Sequence, residues 1–275
     1  MIELPEAVTL ARQMSETLPG KTIESVVVLQ SPHKWAWFHG EAAEYPAKLR
    51  GRTVSGAEAF GGMVELSLGP LSLAVYDGPN VRYAADESEL PAKHQLLLRF
   101  EDGTFLVGSV QMYGGFACFE VGTYDNRYYL AARRAPSPLG AAFTVAHLQE
   151  LLDRVDRARV TAKLFLATEQ RIPGLGNGVL QDILYNAGVH PRRRMDSLDG
   201  DALSRLHEAI VRTLAAMTEL GGRDTERDLF GHAGLYRTLM SRNTVGSPCR
   251  ACGAAIQKAA YAGGSVYFCP RCQPA

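Results

Sequence analysis

The chain has 275 residues, 46% of them hydrophobic, with 29 basic side chains against 29 acidic ones. That length accommodates two or three modest domains with real cores, and the apolar share excludes a disordered or collagen-like chain. No apolar run is long enough for a membrane span, Met1-Ile2-Glu3-Leu4-Pro5-Glu6 does not read as a secretory signal, and zero formal charge excludes an indiscriminate coat for nucleic acid. A soluble, cytoplasmic protein is expected.

Val8, Ala11, Met14 and Leu18 recur at spacings of three and four, which predicts an amphipathic helix over 5–18, stopped by Pro19-Gly20. From Thr22 the period shortens. Runs rich in β-branched and aromatic residues at 23–29, 35–38, 53–57, 63–68, 71–76, 94–100, 105–110 and 115–121 are parted by turn signals such as Glu101-Asp102-Gly103. They predict a β-sandwich or barrel carrying one N-terminal helix. Two prolines and a glycine between Arg133 and Gly140 mark a linker, and helical spacing follows at 143–155, 159–168 and 202–220. Charge divides at the same place: residues 1–140 carry 12 Lys and Arg against 16 Asp and Glu, residues 141–275 carry 17 against 13, so a polyanion meets the second part first.

Within the helical part, Arg171-Ile172-Pro173-Gly174-Leu175-Gly176-Asn177 breaks one helix, and a second restarts at Asn177 with Val179, Leu180, Ile183 and Leu184 on one face, ending at Gly188. Gly174 and Gly176 allow close approach of another molecule. Asn177 caps the new helix, and free N–H groups at such a start attract phosphate. His190-Pro191-Arg192-Arg193-Arg194 adds positive charge nearby. An ordinary helical hairpin whose glycines serve packing explains the same residues equally well. Further on, Gly221-Gly222-Arg223-Asp224-Thr225-Glu226-Arg227-Asp228 reads as a solvated connector after a helix.

The C-terminal segment carries Cys249-x2-Cys252, sixteen further residues, then Cys269-x2-Cys272. Two such pairs converge four thiolates on one tetrahedral ion, and zinc is the expected one. Disulfides are the alternative, but a solitary Cys118 in an apolar strand fits a reducing compartment better. Four thiolates leave no open position, so the ion is structural.

A glycine-turned helix pair, a four-cysteine tail and a preceding β-domain together resemble the formamidopyrimidine-DNA glycosylase and endonuclease VIII family of base-excision repair enzymes. The resemblance rests on Glu3-Leu4-Pro5-Glu6, on Gly174-Leu175-Gly176-Asn177 as the helix–two-turn–helix signature, and on the Cys249 to Gln273 segment as the zinc finger. It implies a fold that is α+β and multidomain: an N-terminal β-sandwich with one N-terminal helix over 1–135, a helical helix–two-turn–helix domain over 142–246, and a zinc ribbon over 247–275. It implies a monomer binding double-stranded DNA with a damaged base or abasic site, and nucleoid association when bound. For mechanism the resemblance implies base flipping, then attack on C1′ by an N-terminal amine, a Schiff base and strand cleavage by elimination.

Carried over residue by residue, Glu3 falls on the family's catalytic acid and Glu6 on its second carboxylate, with Met1 and Ile2 at the nucleophile. Asn177 and Gly176 fall on the phosphate-holding turn, supplemented by Arg171 and Arg192, and Gln111, Met112 and Tyr113 on the loop that fills the gap behind a flipped base. Three positions depart from the pattern. Ile2 stands in place of the proline nucleophile, Gly62 in place of a hairpin lysine and Gly264 in place of a zinc-finger arginine. Two functions are therefore weighed: a DNA glycosylase with AP-lyase action, and a lesion- or abasic-site-binding protein that keeps the scaffold without the chemistry.

Overall fold

The structure is a computed structural model that describes residues 2–275; the expected site residue Met1 lies outside the described residues. Helix α1 (Leu4–Thr17) opens at Glu3, whose backbone is extended, with Pro5 in the first turn, where no intrahelical N–H is required. Ala7, Leu10, Ala11 and Met14 close over the β-lobe core while Leu4 joins the core of the helical lobe. One amphipathic helix thus touches both lobes, which holds the chain start at their junction.

The β-lobe follows as β1 (Ile23–Val28), β2 (Ala36–His39), α2 (Tyr45–Leu49), β3 (Gly56–Phe60), β4 (Met63–Leu68), β5 (Leu71–Tyr76), β6 (Pro79–Ala84), β7 (Leu96–Phe100), β8 (Phe105–Val110) and β9 (Gly114–Glu120). Two sheets, ordered β1-β7-β8-β6 and β2-β9-β5-β4-β3, form a sandwich around Leu66, Leu73, Leu98, Phe100 and Phe116. Each of these buried side chains contributes roughly 1.5–3 kcal/mol. The neighbours are antiparallel except β2, which runs parallel to β9 at the edge of the five-stranded sheet.

The short helix α2, strand β6 and helix α3 (Arg127–Arg134) escaped the sequence reading. Strand β6 was hidden by its opening proline, which an edge strand tolerates because no ladder bond is required there. Helix α3, whose Asn126 side chain caps Tyr128 N and Tyr129 N, runs into the expected linker. Its Tyr129 hydroxyl donates to the buried Glu65 at 2.9 Å, and Arg133 also pairs with Glu65, so α3 is fixed to the outer face of the sheet.

The helical lobe comprises α4 (Val145–Asp153), α5 (Ala162–Ala167), α6 (Val179–Ala187) and α7 (Gly200–Glu219), around a core that includes Phe165, Leu180, Ile183, Leu206 and Ile210. Gly188, at φ +67°, ends α6 as expected. A final hairpin, β10 (Gln257–Tyr261) and β11 (Gly264–Phe268), carries the cysteine pairs and packs beside α6. Among the described residues no helix is long and apolar enough to cross a membrane.

Candidate functional site

The turn between β3 and β4 lies against the turn between α5 and α6, and glycine makes the approach possible. A Cβ on Gly174, which has φ +80°, would overlap the backbone of Gly61, and one on Gly62 would come within 3.1 Å of Ile2 O. The chain start threads between the two turns. Ile2 N donates to Asp77 O at 2.7 Å and Leu4 N donates to Gly174 O at 2.9 Å.

Those bonds place the Glu3 side chain over Gly176, where a Cβ would lie 2.5 Å from Glu3 Oε1. The carboxylate accepts from Gly178 N at 2.8 Å and Val179 N at 2.6 Å. The expected cap is thereby corrected: α6 starts two residues after Asn177, and Glu3 caps it from 175 residues away. The helix start does bind an anion, but those two N–H groups hold the protein's own carboxylate.

Arg223 completes the arrangement, and its loop is not the solvated connector read from sequence. The guanidinium is 3% exposed, with Nε and Nη2 each 2.9 Å from a Glu6 carboxylate oxygen, and Nη1 is 3.4 Å from Glu3. A Cβ on Gly178 would overlap Nη1, so glycine there makes room for the arginine. Burial raises the Glu3 carboxyl above its ordinary range, Arg223 opposes that, Glu6 adds to it, and the two helix N–H groups oppose it further. Arg223 itself is held charged by its two carboxylate neighbours despite burial.

Two cavities flank this triad. A cleft of about 810 Å³ between the lobes is lined by Gln111, Met112 and Tyr113 on one side and by Asn177, Gly178 and Arg223 on the other. A chamber of about 220 Å³ beside it is lined by Ile2, Glu3, Gly62, Gly176, Tyr76 and Asp77. The structure thus brings Asn177 and the 111–113 loop to one cleft, and Ile2, Glu3 and Gly176 to one chamber. Glu6 lies behind Arg223. Arg171 is not brought in: its Nη1 donates to Leu164 O and Thr168 Oγ1, each at 3.0 Å, finishing α5. Arg192 lies exposed over the Tyr261 ring at 4.9 Å and donates to Ala260 O.

Lys163 was missed in the sequence because helical periodicity places it in α5 without distinguishing it from a surface lysine. It is 4% exposed, and its Nζ donates to Tyr261 O and would lie 3.4 Å from a Cβ on Gly264. A lysine therefore stands beside Gly264, the position at which the resemblance leads one to expect an arginine. Burial lowers its pKa. Asn177 is next to it, with Nδ2 donating to Ser265 O at 3.2 Å and Oδ1 buried without a hydrogen-bond partner.

The Sγ atoms of Cys249, Cys252, Cys269 and Cys272 all lie within 4.8 Å of one another. A tetrahedral zinc with sulfur at ~2.3 Å spaces its ligands about 3.8 Å apart. Cys249 to Cys272 at 3.8 Å and Cys252 to Cys269 at 3.4 Å fit it. These four residues hold a structural Zn2+.

Comparison with known proteins gives a consistent result. The family profile described as the formamidopyrimidine-DNA glycosylase N-terminal domain matches residues 1–148, the one described as the formamidopyrimidine-DNA glycosylase H2TH domain matches 135–228, and a zinc finger found in FPG and IleRS matches 246–275. A formamidopyrimidine-DNA glycosylase of Geobacillus kaustophilus is 30% identical over 99% of this chain and 100% of its own length. One of Bacillus cereus is 28% identical over 100% and 99%. Among solved structures, MutM (Fpg) from Thermus thermophilus superposes with TM-score 0.82 at 26% identity, covering 98% of each chain. Lactococcus lactis Fpg in complex with abasic-site DNA gives 0.84 at 24%, covering 99% and 100%.

Proposed function

The chain belongs to the formamidopyrimidine-DNA glycosylase family, and from that premise we propose that it is a base-excision repair DNA glycosylase with AP-lyase action. Duplex DNA carrying a damaged base or an abasic site lies in the interlobe cleft, and the sugar of the extruded nucleotide reaches Glu3. The observation that carries this reading is the Glu3–Arg223–Glu6 cluster, buried at the junction of the two lobes with Glu3 facing a chamber beside the cleft. The named relatives are glycosylases, which favours the enzyme over the binding protein.

In the proposed reaction the α-amino group at the chain start attacks C1′ as the C1′–N bond breaks, and the base leaves with a proton. The C1′–O4′ bond then opens, O4′ taking a proton, to give the Schiff base; this loses a C2′ proton, the C3′–O bond breaks with departure of the 3′ phosphate, and water hydrolyses the imine to restore the amine. Glu3, whose carboxyl burial pushes above its ordinary range against the pull of Arg223, transfers protons at the sugar. With Met1 in place the Ile2 nitrogen is an amide whose lone pair is delocalised, and the α-amine of Met1 is then the candidate nucleophile; with Met1 removed it is the Ile2 amine.

Lys163 supplies phosphate-side charge in place of the arginine absent at Gly264, and Asn177 contacts phosphate once its amide turns over and releases Ser265 O. Met112 and Tyr113 occupy the gap behind the extruded base. We place the protein in the cytoplasm, on the nucleoid.

Borohydride reduction on an abasic duplex, combined with intact-mass measurement, tests the reading. A covalent adduct on the N-terminal amine, lost on its acetylation, is expected. In Glu3→Gln, base release is lost and duplex affinity is kept. Binding with neither adduct nor base release refutes the proposed chemistry.

A further inference from the structure

Both tryptophans of the chain lie on one short edge strand and its approach, outside every feature used above. In β2, Ala36 and Phe38 turn inward, and Phe38 meets Tyr45 and Phe116 at centroid distances of 5.3 and 5.2 Å. The alternation of a strand sends Trp35 and Trp37 to the opposite face, where they are 51% and 42% exposed. Their rings meet edge to face at 6.5 Å, Lys34 Nζ stands 4.9 Å over Trp35, and Trp37 touches Tyr113 at 6.1 Å. Tyr113 in turn lines the interlobe cleft beside Met112, which is 69% exposed. The aromatic surface therefore continues the cleft wall outward over the rim of the β-lobe.

We propose that Trp35 and Trp37, with Lys34, form a stacking platform for an unpaired base next to the lesion, so that damaged DNA with unpaired nucleotides is a preferred substrate context. This rests on the DNA-repair reading above and deepens it. Paired bases keep their faces inside the duplex stack, and only an unpaired base offers a face to an aromatic ring. Lys34 matches the adjacent phosphate, and no base-specific hydrogen bond is required, so the platform accepts any base. Stacking adds affinity without adding charge, which suits a β-lobe that has Gly62 and no cationic side chain at the turn beside Ile2.

Because Trp35 and Trp37 are the only tryptophans, tryptophan fluorescence of the unmodified protein, excited at the red edge of the absorption band where the eleven tyrosines contribute little, reports on this surface. Three probes carry the same abasic site: a fully paired duplex, a duplex with a short unpaired stretch beside the site, and a single strand. Anisotropy of a dye on the DNA follows binding independently. Tryptophan quenching is expected with the second and third probes and little with the first. Replacing Trp35 and Trp37 together by Ala should weaken the second and third about tenfold or more and the first less than twofold, while replacement by Phe restores binding. Binding without quenching, equal quenching by the paired duplex, or an alanine variant that binds all three as the parent does overturns the platform and leaves the repair reading intact. Failure to bind any of them overturns both.

Discussion

Replacing Arg223 by Ala tests the electrostatics of the site most directly. The substitution removes two 2.9 Å charge-assisted bonds to Glu6 and the 3.4 Å contact to Glu3, and leaves two buried carboxylates facing each other. Breaking a buried pair by removing one partner costs about 3–5 kcal/mol. One carboxyl can escape by taking up a proton, which at pH 7 costs about 1.4 kcal/mol for each pH unit above an unfolded pKa of about 4.3, or roughly 4 kcal/mol. At pH 5 the same escape costs only about 1 kcal/mol. In the variant the folded carboxyl therefore titrates above its unfolded value, and the stability it retains is present at low pH and lost as pH rises. Urea denaturation of parent and variant should show a gap of about 4 kcal/mol at pH 7 that narrows to between about 1 and 2 kcal/mol at pH 5. A gap below about 1 kcal/mol at pH 7, or one that does not change with pH, would show that the three charges are not coupled as described.

Gly178→Ala should force the Arg223 guanidinium off its partners and lower stability by roughly 1–3 kcal/mol, whereas Gly200→Ala, where a Cβ meets nothing within 4 Å, should be neutral or slightly stabilising; thermal melts compare the two. Chelation should release zinc, whose binding is worth about 10–16 kcal/mol in small fingers; protease should then cut between β10 and β11, and DNA affinity should fall as the hairpin carbonyl that holds Lys163 Nζ is lost. Burial pushes the Asp182 carboxyl up to about 6, although it accepts from Leu239 N and Met240 N. Because the folded pKa is raised, its contribution is present below pH about 4 and lost as pH rises through about 6, which amounts to roughly 3 kcal/mol. The parent should lose that much relative to Asp182→Asn between pH 4 and pH 7, and a constant difference counts against it.

The departures at Ile2, Gly62 and Gly264 bear on how this member of the family works. Gly62 is required where it stands, since the turn it occupies lies against Ile2 O and Gly174, so regaining a long side chain there would displace the chain start. Gly264 is different. It has the buried Lys163 of α5 beside it, the residue to which the proposed function assigns that charge, and whose position in sequence gives no hint of it.

The features legible in the chain were those set by local chemistry. Four cysteines in two closely spaced pairs can satisfy one ion, a change of period from two to 3.6 separates a sandwich from a helical lobe, and a glycine ends α6, because each depends only on residues near in sequence. Strand β6 and helix α3 were less legible, since an opening proline and a polar surface face mask their periods. The identity of Glu3 could be read, but not its partners. It caps a helix 175 residues away, Glu6 pairs with an arginine 217 residues away, and the glycines between Gly174 and Gly178 are explained by backbone and side chains that only packing brings near. Burial, and with it the raised pKa of Glu3, belongs to the assembled lobes, because desolvation is a property of everything that surrounds a group and not of its neighbours along the chain.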